Sequence, residues 1–299
     1  MSGQAAAKAS AGRMPADIAG KIRAIGAVID PPATAAIYAP LHEREPYTGV
    51  KIVRDAKYGA DERQALDVFI PEGASRPRPV FMFVHGGGYT AGHKREGDNF
   101  FYDNIMLWAA RNGMVGVNAT HRLAPAHPWP AGAADVGAAV QWVRENIARH
   151  GGDAKRLFLA GHSAGGTHAA TYAVMPQFHA PGGRGLAGLI LLSGNFDLSI
   201  VDMDERYASY FGSDKAKFAE RSPFPGLLKL PIPLMVAYTE LEPPPLLEQS
   251  ERLVSALKQA TRAAHVVKLA GHSHISITYA INTGDTELGD AMLDFIKRN

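Results

Sequence analysis

The string Leu-Ala-Gly-His-Ser occurs twice in this chain, at 159–163 and at 269–273. Each copy holds two side chains suited to acyl transfer. One is a hydroxyl that becomes nucleophilic once its proton is removed; the other is an imidazole that can remove it near neutral pH. The first copy reads on as Gly161-His162-Ser163-Ala164-Gly165, a G-x-S-x-G pattern between an apolar run and a helix-forming one. That pattern suits a sharp strand-to-helix corner, where only small residues fit beside a raised hydroxyl. Ser163 is therefore the candidate nucleophile, with the positive end of the following helix directed at it. A small-residue turn made for packing alone is the plainer alternative. A phosphate-cradling loop would need a Gly-Lys-Ser/Thr ending, which is absent.

His85-Gly86-Gly87-Gly88 directly follows the apolar run 79–84. Successive glycines leave backbone N–H groups free to converge on one point. Acyl transfer needs such donors, because negative charge gathers on an oxygen in the transition state. Gly87, Gly88 and Ala164 are the expected N–H donors. Gly86-x-Gly88-x-x-Ala91 also fits a dinucleotide fingerprint, but that use requires an acidic residue ending the next strand. The next strand ends Val117-Asn118-Ala119-Thr120, without one. In the second copy a glycine turn leads to His272, Ser273 and His274. Either histidine could serve as base, and the chain order Ser…acid…His suits this kind of sheet. His272 and His274 compete, and only one of them is expected to face Ser163. His162, His168, His265, His272 and His274 have no helical zinc spacing, and no metal is expected.

The elements that must position these groups alternate in type. Strands are expected over 50–53, 64–70, 79–85, 114–118, 157–160, 186–192, 234–238 and 265–269. Helices are expected over 99–112, 131–150, 164–174, 246–260 and 286–297. Continuous apolar strands alternating with helices predict a mainly parallel sheet covered on both faces, with the first two strands as an antiparallel edge. Two segments stand outside the alternation. An amphipathic helix over 16–29, ended by Pro31-Pro32, lies in an N-terminal segment (1–48) that precedes a catalytic domain (49–299). Residues 195–233 form a long excursion, and both segments are expected to cap a pocket at the strand ends.

The 299 residues are 46% hydrophobic, ample for a buried core. Lys and Arg number 31 against 29 Asp and Glu, and no basic block stands out, so nucleic acid is not an expected partner. There is no cysteine, which excludes disulfides and thiolate catalysis. No apolar run is long enough for a membrane span. The small, polar residues 1–15 lack the apolar core of a secretory signal, so a cytoplasmic protein is expected.

Three motifs together resemble the hormone-sensitive-lipase-like carboxylesterases, a branch of the α/β-hydrolases. They are His85-Gly86-Gly87-Gly88, then His121-Arg122-Leu123-Ala124-Pro125 with His127-Pro128, then Gly161-His162-Ser163-Ala164-Gly165-Gly166. The similarity runs from Gln64 to the C-terminus. The family usually reads Tyr-Arg-Leu-Ala-Pro-Glu; His121 replaces the Tyr and Ala126 the Glu, with no catalytic consequence expected. The resemblance implies Ser163 as nucleophile. It implies His274 as base, because the family's histidine precedes a bulky apolar residue, here Ile275, and it leaves His272 as a loop residue. Tyr238-Thr239-Glu240-Leu241-Glu242-Pro243-Pro244 looks like the family's Gly-Glu-x-Asp-Pro-Pro, so Glu242 stands where Asp is usual. Glu240 and, farther away, Asp197 compete for the role of acid.

The implied fold is α/β: a mostly parallel sheet of about eight strands, helices on both faces and a small helical cap. The implied activity is hydrolysis of short- to medium-chain acyl esters by a serine esterase that needs no cofactor. A homodimer joined along an edge strand is also implied. In this topology Tyr89, Tyr207, Tyr210, Phe211, Leu246 and Ile275 lie near the site, either as pocket walls or as plain packing. Two other functions are weighed. An arylformamidase-type amidase usually reads His-Gly-Gly-Tyr-Trp in the glycine loop, and the third glycine here argues against it. A non-catalytic binder on the same scaffold typically loses its base, which this chain retains.

Overall fold

The computed structural model describes residues 13–73, 76–95 and 100–299. Eight strands form one sheet: β1 (Val50–Lys57), β2 (Ala65–Pro71), β3 (Arg78–Val84), β4 (Val115–Ala119), β5 (Gly152–His162), β6 (Gly188–Leu192), β7 (Leu234–Leu241) and β8 (His265–Ser273). They lie in the order β1-β2-β4-β3-β5-β6-β7-β8. Pairing is antiparallel for β1–β2 and β2–β4 and parallel everywhere else. β1 outruns its expected end at Val53. Arg54-Asp55 interrupts the alternation as a bulge, with Asp55 at φ 56° and its N–H bonded to Asp67 Oδ1 at 2.8 Å. Pairing then resumes at Ala56 opposite Leu66.

The central strands are apolar throughout because each face of the sheet is covered. In β3, Val80, Met82 and Val84 turn to one face, where they meet the helices Ala131–Asn146, Ala164–Val174 and Pro244–Gln259. Phe81 and Phe83 turn to the other, against Asp103–Arg111 and Glu287–Arg298. β4 lies on one side of β3 and β5 on the other, so the winding reverses between β3 and β5. Loops leaving the carboxyl ends of two such strands diverge and open a crevice, the usual place for a ligand on an open α/β sheet.

Two helix boundaries differ from expectation for one reason. The helix expected over 16–29 ends at Ile25, and Pro31 starts a second helix, Pro31–Tyr38, instead of stopping the first. Asp30 caps it by accepting the Ala33 N–H at 2.9 Å. Pro244-Pro245 likewise opens the helix Pro244–Gln259. Proline in a first turn forfeits no hydrogen bond, since those N–H groups have no partner inside the helix. The helix expected over 99–112 spans Asp103–Arg111; residue 99 lies outside the described residues. The excursion 195–233 carries short helices at Glu205–Phe211, Phe218–Arg221 and Phe224–Leu227. Among the described residues no helix is long and apolar enough to cross a membrane.

Candidate active site

Sheet register fixes the site. Val84 of β3 pairs with Gly161 of β5, and His162 of β5 with Leu192 of β6, so these strands end side by side. Ser163 is the first residue beyond β5. Its φ of 53° and ψ of −123° are unfavourable for a side chain and cost about 1–3 kcal/mol. The corner is held by the Ser163 N–H, which donates to Leu192 O at 2.9 Å, and by the Thr167 N–H, which donates to Ser163 O at 3.1 Å. A Cβ on Gly165 would stand 2.2 Å from Val84 O, so the helix Ala164–Val174 can begin this close to β3 only with glycine there. Gly87 has φ +125°, and a Cβ on it would stand 2.0 Å from Ala91 O. The Ala91 N–H closes this loop on Gly87 O at 3.0 Å. Gly87, Gly88 and Ala164 all line the cavity that also exposes Ser163.

The second half of the site comes from β7 and β8. Leu241 pairs with Ser273, which sets the next residues, Glu242 and His274, beside each other. His274 Nδ1 lies 2.8 Å from Glu242 Oε2, and the two residues are 1% and 2% exposed. Glu242 Oε1 accepts the Thr239 hydroxyl at 2.9 Å and the Ser193 hydroxyl. Burial pushes the Glu242 carboxyl up, but the adjoining His274 and the three hydrogen bonds outweigh it and hold the carboxyl below its usual range. An ionised carboxylate on Nδ1 fixes the ring proton there and leaves Nε2 as the basic nitrogen. His274 lines the same cavity as Ser163.

The other candidates are engaged elsewhere. His272 belongs to β8 rather than to a free loop. Its Nε2 lies 2.9 Å from Asp285 Oδ2 and its Nδ1 3.1 Å from Ser276 Oγ, both away from the cavity. Asp197 meets Arg252 Nε at 2.7 Å and the Ser199 hydroxyl at 2.6 Å. Glu240 accepts the Gly271 N–H at 2.7 Å.

The BD-FAE family profile matches residues 66–204. The carboxylesterase NlhH of Mycobacterium tuberculosis is 42% identical over 99 residues, 33% of this chain and 30% of that protein. The esterase LipC of the same organism is 28% identical over 242 residues, 74% of this chain and 59% of that one. Each match thus covers less than two thirds of the relative's length. Among solved structures, the hyperthermophilic esterase from the archaeon Pyrobaculum calidifontis superposes with a TM-score of 0.70 at 22% identity, covering 96% of this chain and 98% of that one. The chain has the α/β-hydrolase fold. Its named relatives agree with the resemblance to the hormone-sensitive-lipase-like branch.

The cavity holds about 420 Å³. Tyr89, Tyr207, Leu246 and Ile275 line it as the topology suggested. Phe211 does not: it packs edge-on behind Tyr89, ring centroids 4.9 Å apart, in a cluster with Tyr210 and Phe218. Tyr210 is stacked on Tyr89 at 4.8 Å and meets Phe211 edge-on at the same distance. A short helix buries one face, and Phe211 lies on it. Sequence reasoning missed walls supplied by Ile29, Pro31, Pro32 and Ala35, which depend on how the N-terminal helices fold back. It also missed His162. The His162 Nε2–H donates to His274 O at 2.8 Å, and the two rings lie 4.6 Å apart. Burial, then the neighbouring His274, push His162 well below the ordinary histidine value, so it is a neutral strut against His274. Its position inside the G-x-S-x-G motif was the available signal. Ser193 escaped notice because its link to Glu242 spans 49 residues. Among the described residues no three of His, Asp and Glu converge as a metal set.

Proposed function

We propose that this protein is a serine carboxylesterase acting on short- to medium-chain acyl esters through an acyl-enzyme. The observation that carries the reading is the buried Glu242–His274 pair opening onto the same cavity as a hydroxyl on a strained strand-to-helix corner. His274 Nε2 takes the Ser163 proton as Oγ adds to the ester carbonyl. Negative charge on the former carbonyl oxygen is met by the N–H groups of Gly87, Gly88 and Ala164, each such donor contributing about 2.7–4 kcal/mol to the transition state. His274 then gives its proton to the departing alkoxide, leaving acyl-Ser163. Water, deprotonated by the same nitrogen, releases the carboxylic acid and restores the hydroxyl. Glu242 holds the ring and its tautomer throughout. No step calls for a cofactor.

The N-terminal helices and the 195–233 excursion act as the cap in this reading, since both supply cavity walls. A cytoplasmic enzyme pairing as a homodimer along the β8 edge, where Val266 is 42% exposed, completes it. The test is labelling of Ser163 by a fluorophosphonate, together with turnover of p-nitrophenyl butyrate and of N-formylkynurenine. Labelled Ser163 with preference for the butyrate ester is expected. Preference for the formamide makes the protein an amidase, and an unlabelled Ser163 without turnover makes it a binder.

A further inference from the structure

The charge of the cavity is one-sided. Among its described lining residues Arg206 alone carries a permanent charge, and none is Asp or Glu. The Glu242 carboxylate lies behind His274 and is spent on it. Arg206 sits on the short helix Glu205–Phe211, which Asp204 caps by accepting the Tyr207 N–H at 2.8 Å. Its side chain lies over the glycine loop: Cδ is 2.8 Å and Nη1 3.2 Å from where a Gly88 Cβ would be. The guanidinium faces the Tyr207 ring at 5.1 Å. Its acidic neighbour, Asp204, meets Nη2 at 3.3 Å, and the two side chains are 44% and 52% exposed. An exposed pair of this kind is worth little and holds only one of five donors. Nε and Nη1 make no hydrogen bond among the described residues. A planar set of donors therefore stands at the wall of a cavity with no Asp or Glu among its described lining residues, beside the loop where the ester carbonyl would sit.

We infer that Arg206 selects esters carrying a second acidic group, an ionised carboxylate a few bonds from the reacting carbonyl. The inference rests on the esterase reading above and names its substrate class. The carboxylate belongs either to the acyl part, as in a dicarboxylic acid monoester, or to the alcohol part. Charge-assisted hydrogen bonds from this half-exposed guanidinium favour the anionic ester by about tenfold over a neutral isostere.

Two substrate pairs separate the sources. Monomethyl adipate against methyl hexanoate places the charge on the acyl side; para-acetoxybenzoate against para-tolyl acetate places it on the alcohol side. For each pair the readout is the ratio of kcat/KM, anionic over neutral, at low ionic strength. In Arg206→Gln that ratio falls about tenfold in one pair, Arg206→Lys retains part of it, and added salt erodes it in the native protein. Ratios that stay within about twofold in both pairs overturn the inference. Should the native protein hydrolyse none of the four esters, the esterase reading fails, and binding still decides Arg206. Adipate and para-hydroxybenzoate are titrated calorimetrically into Ser163→Ala and into Ser163→Ala/Arg206→Gln. Weaker binding of one of them by the double variant supports the carboxylate site, and equal affinities for both overturn it.

Discussion

At the proposed acid position a glutamate has one more methylene than an aspartate, and the site accommodates it by contacts on both oxygens. Oε2 meets His274 at 2.8 Å, while Thr239 and Ser193 hold Oε1. With both oxygens bound, the longer side chain has little freedom left. Glu242→Gln keeps the shape but presents the ring with a neutral partner, which allows the wrong tautomer. A fall in kcat on the order of 10⁴-fold is expected for p-nitrophenyl butyrate. Asp197→Asn and Glu240→Gln, whose carboxylates bind Arg252 and the Gly271 N–H, should each stay within about tenfold of native. Any other ranking moves the acid. Ser193→Ala removes one hydrogen bond to the carboxylate, worth about 1 kcal/mol. The Glu242 carboxyl then titrates higher, so the acidic limb of the kcat/KM profile should shift toward higher pH; an unmoved limb would separate Ser193 from the relay.

At the scale of elements, the end of β8 does two jobs with two histidines, His272 inside the strand and His274 just beyond it. His274 turns to the cavity. His272 turns to the other side, where it joins Asp285 and Ser276 at 2.9 and 3.1 Å beneath the N-terminal helices. A histidine on an open loop would tolerate truncation, but this one is 2% exposed. His272→Ala leaves the buried Asp285 carboxylate without its partner and should lower unfolding free energy by about 3 kcal/mol, read as a drop in the urea midpoint. His272→Ala/Asp285→Ala, which removes both groups, should recover part of that loss. The contrast shows what sequence can carry. Ser163 and the glycine loop were legible because their geometry is local: a few glycines and one corner. The opposed directions of His272 and His274 were not legible from strand alternation, which puts residues i and i+2 on one face; the two separate because β8 ends at Ser273, between them. The role of Asp285, the burial of Phe211 and the wall built by Ile29 and Pro31 were not legible. Each depends on a contact between segments far apart in the chain, set by helix docking rather than by any local pattern.

Across the whole molecule, the glycine loop rests on a column of imidazoles. His85 is stacked on His121 with centroids 4.3 Å apart, and His121 meets His168 edge-on at 4.6 Å. With His162, these rings are buried at 2% exposure or less. Burial pushes all four below the ordinary histidine value of 6.5, and neighbouring imidazoles push His85, His162 and His168 further down. The unfolded chain has no such constraint and binds protons at these residues as pH falls through about 6.5. In that window the unfolded state holds more protons than the folded one, so unfolding free energy falls with falling pH. Each histidine kept neutral contributes about 1.4 kcal/mol per pH unit below its unfolded value. The depressed carboxyls of Asp55, Asp197 and Glu242 act in the same direction, but only below the usual carboxylate range. Urea titrations should therefore show stability lost by several kcal/mol between pH 7 and 5, above the range where carboxylates titrate. His168→Phe, which removes one titrating ring, should flatten the slope by about 1.4 kcal/mol per pH unit even if it alters stability at pH 7. A native slope near zero in that window would mean that the column takes up protons while folded, and the glycine loop would then rest on cations rather than on neutral rings.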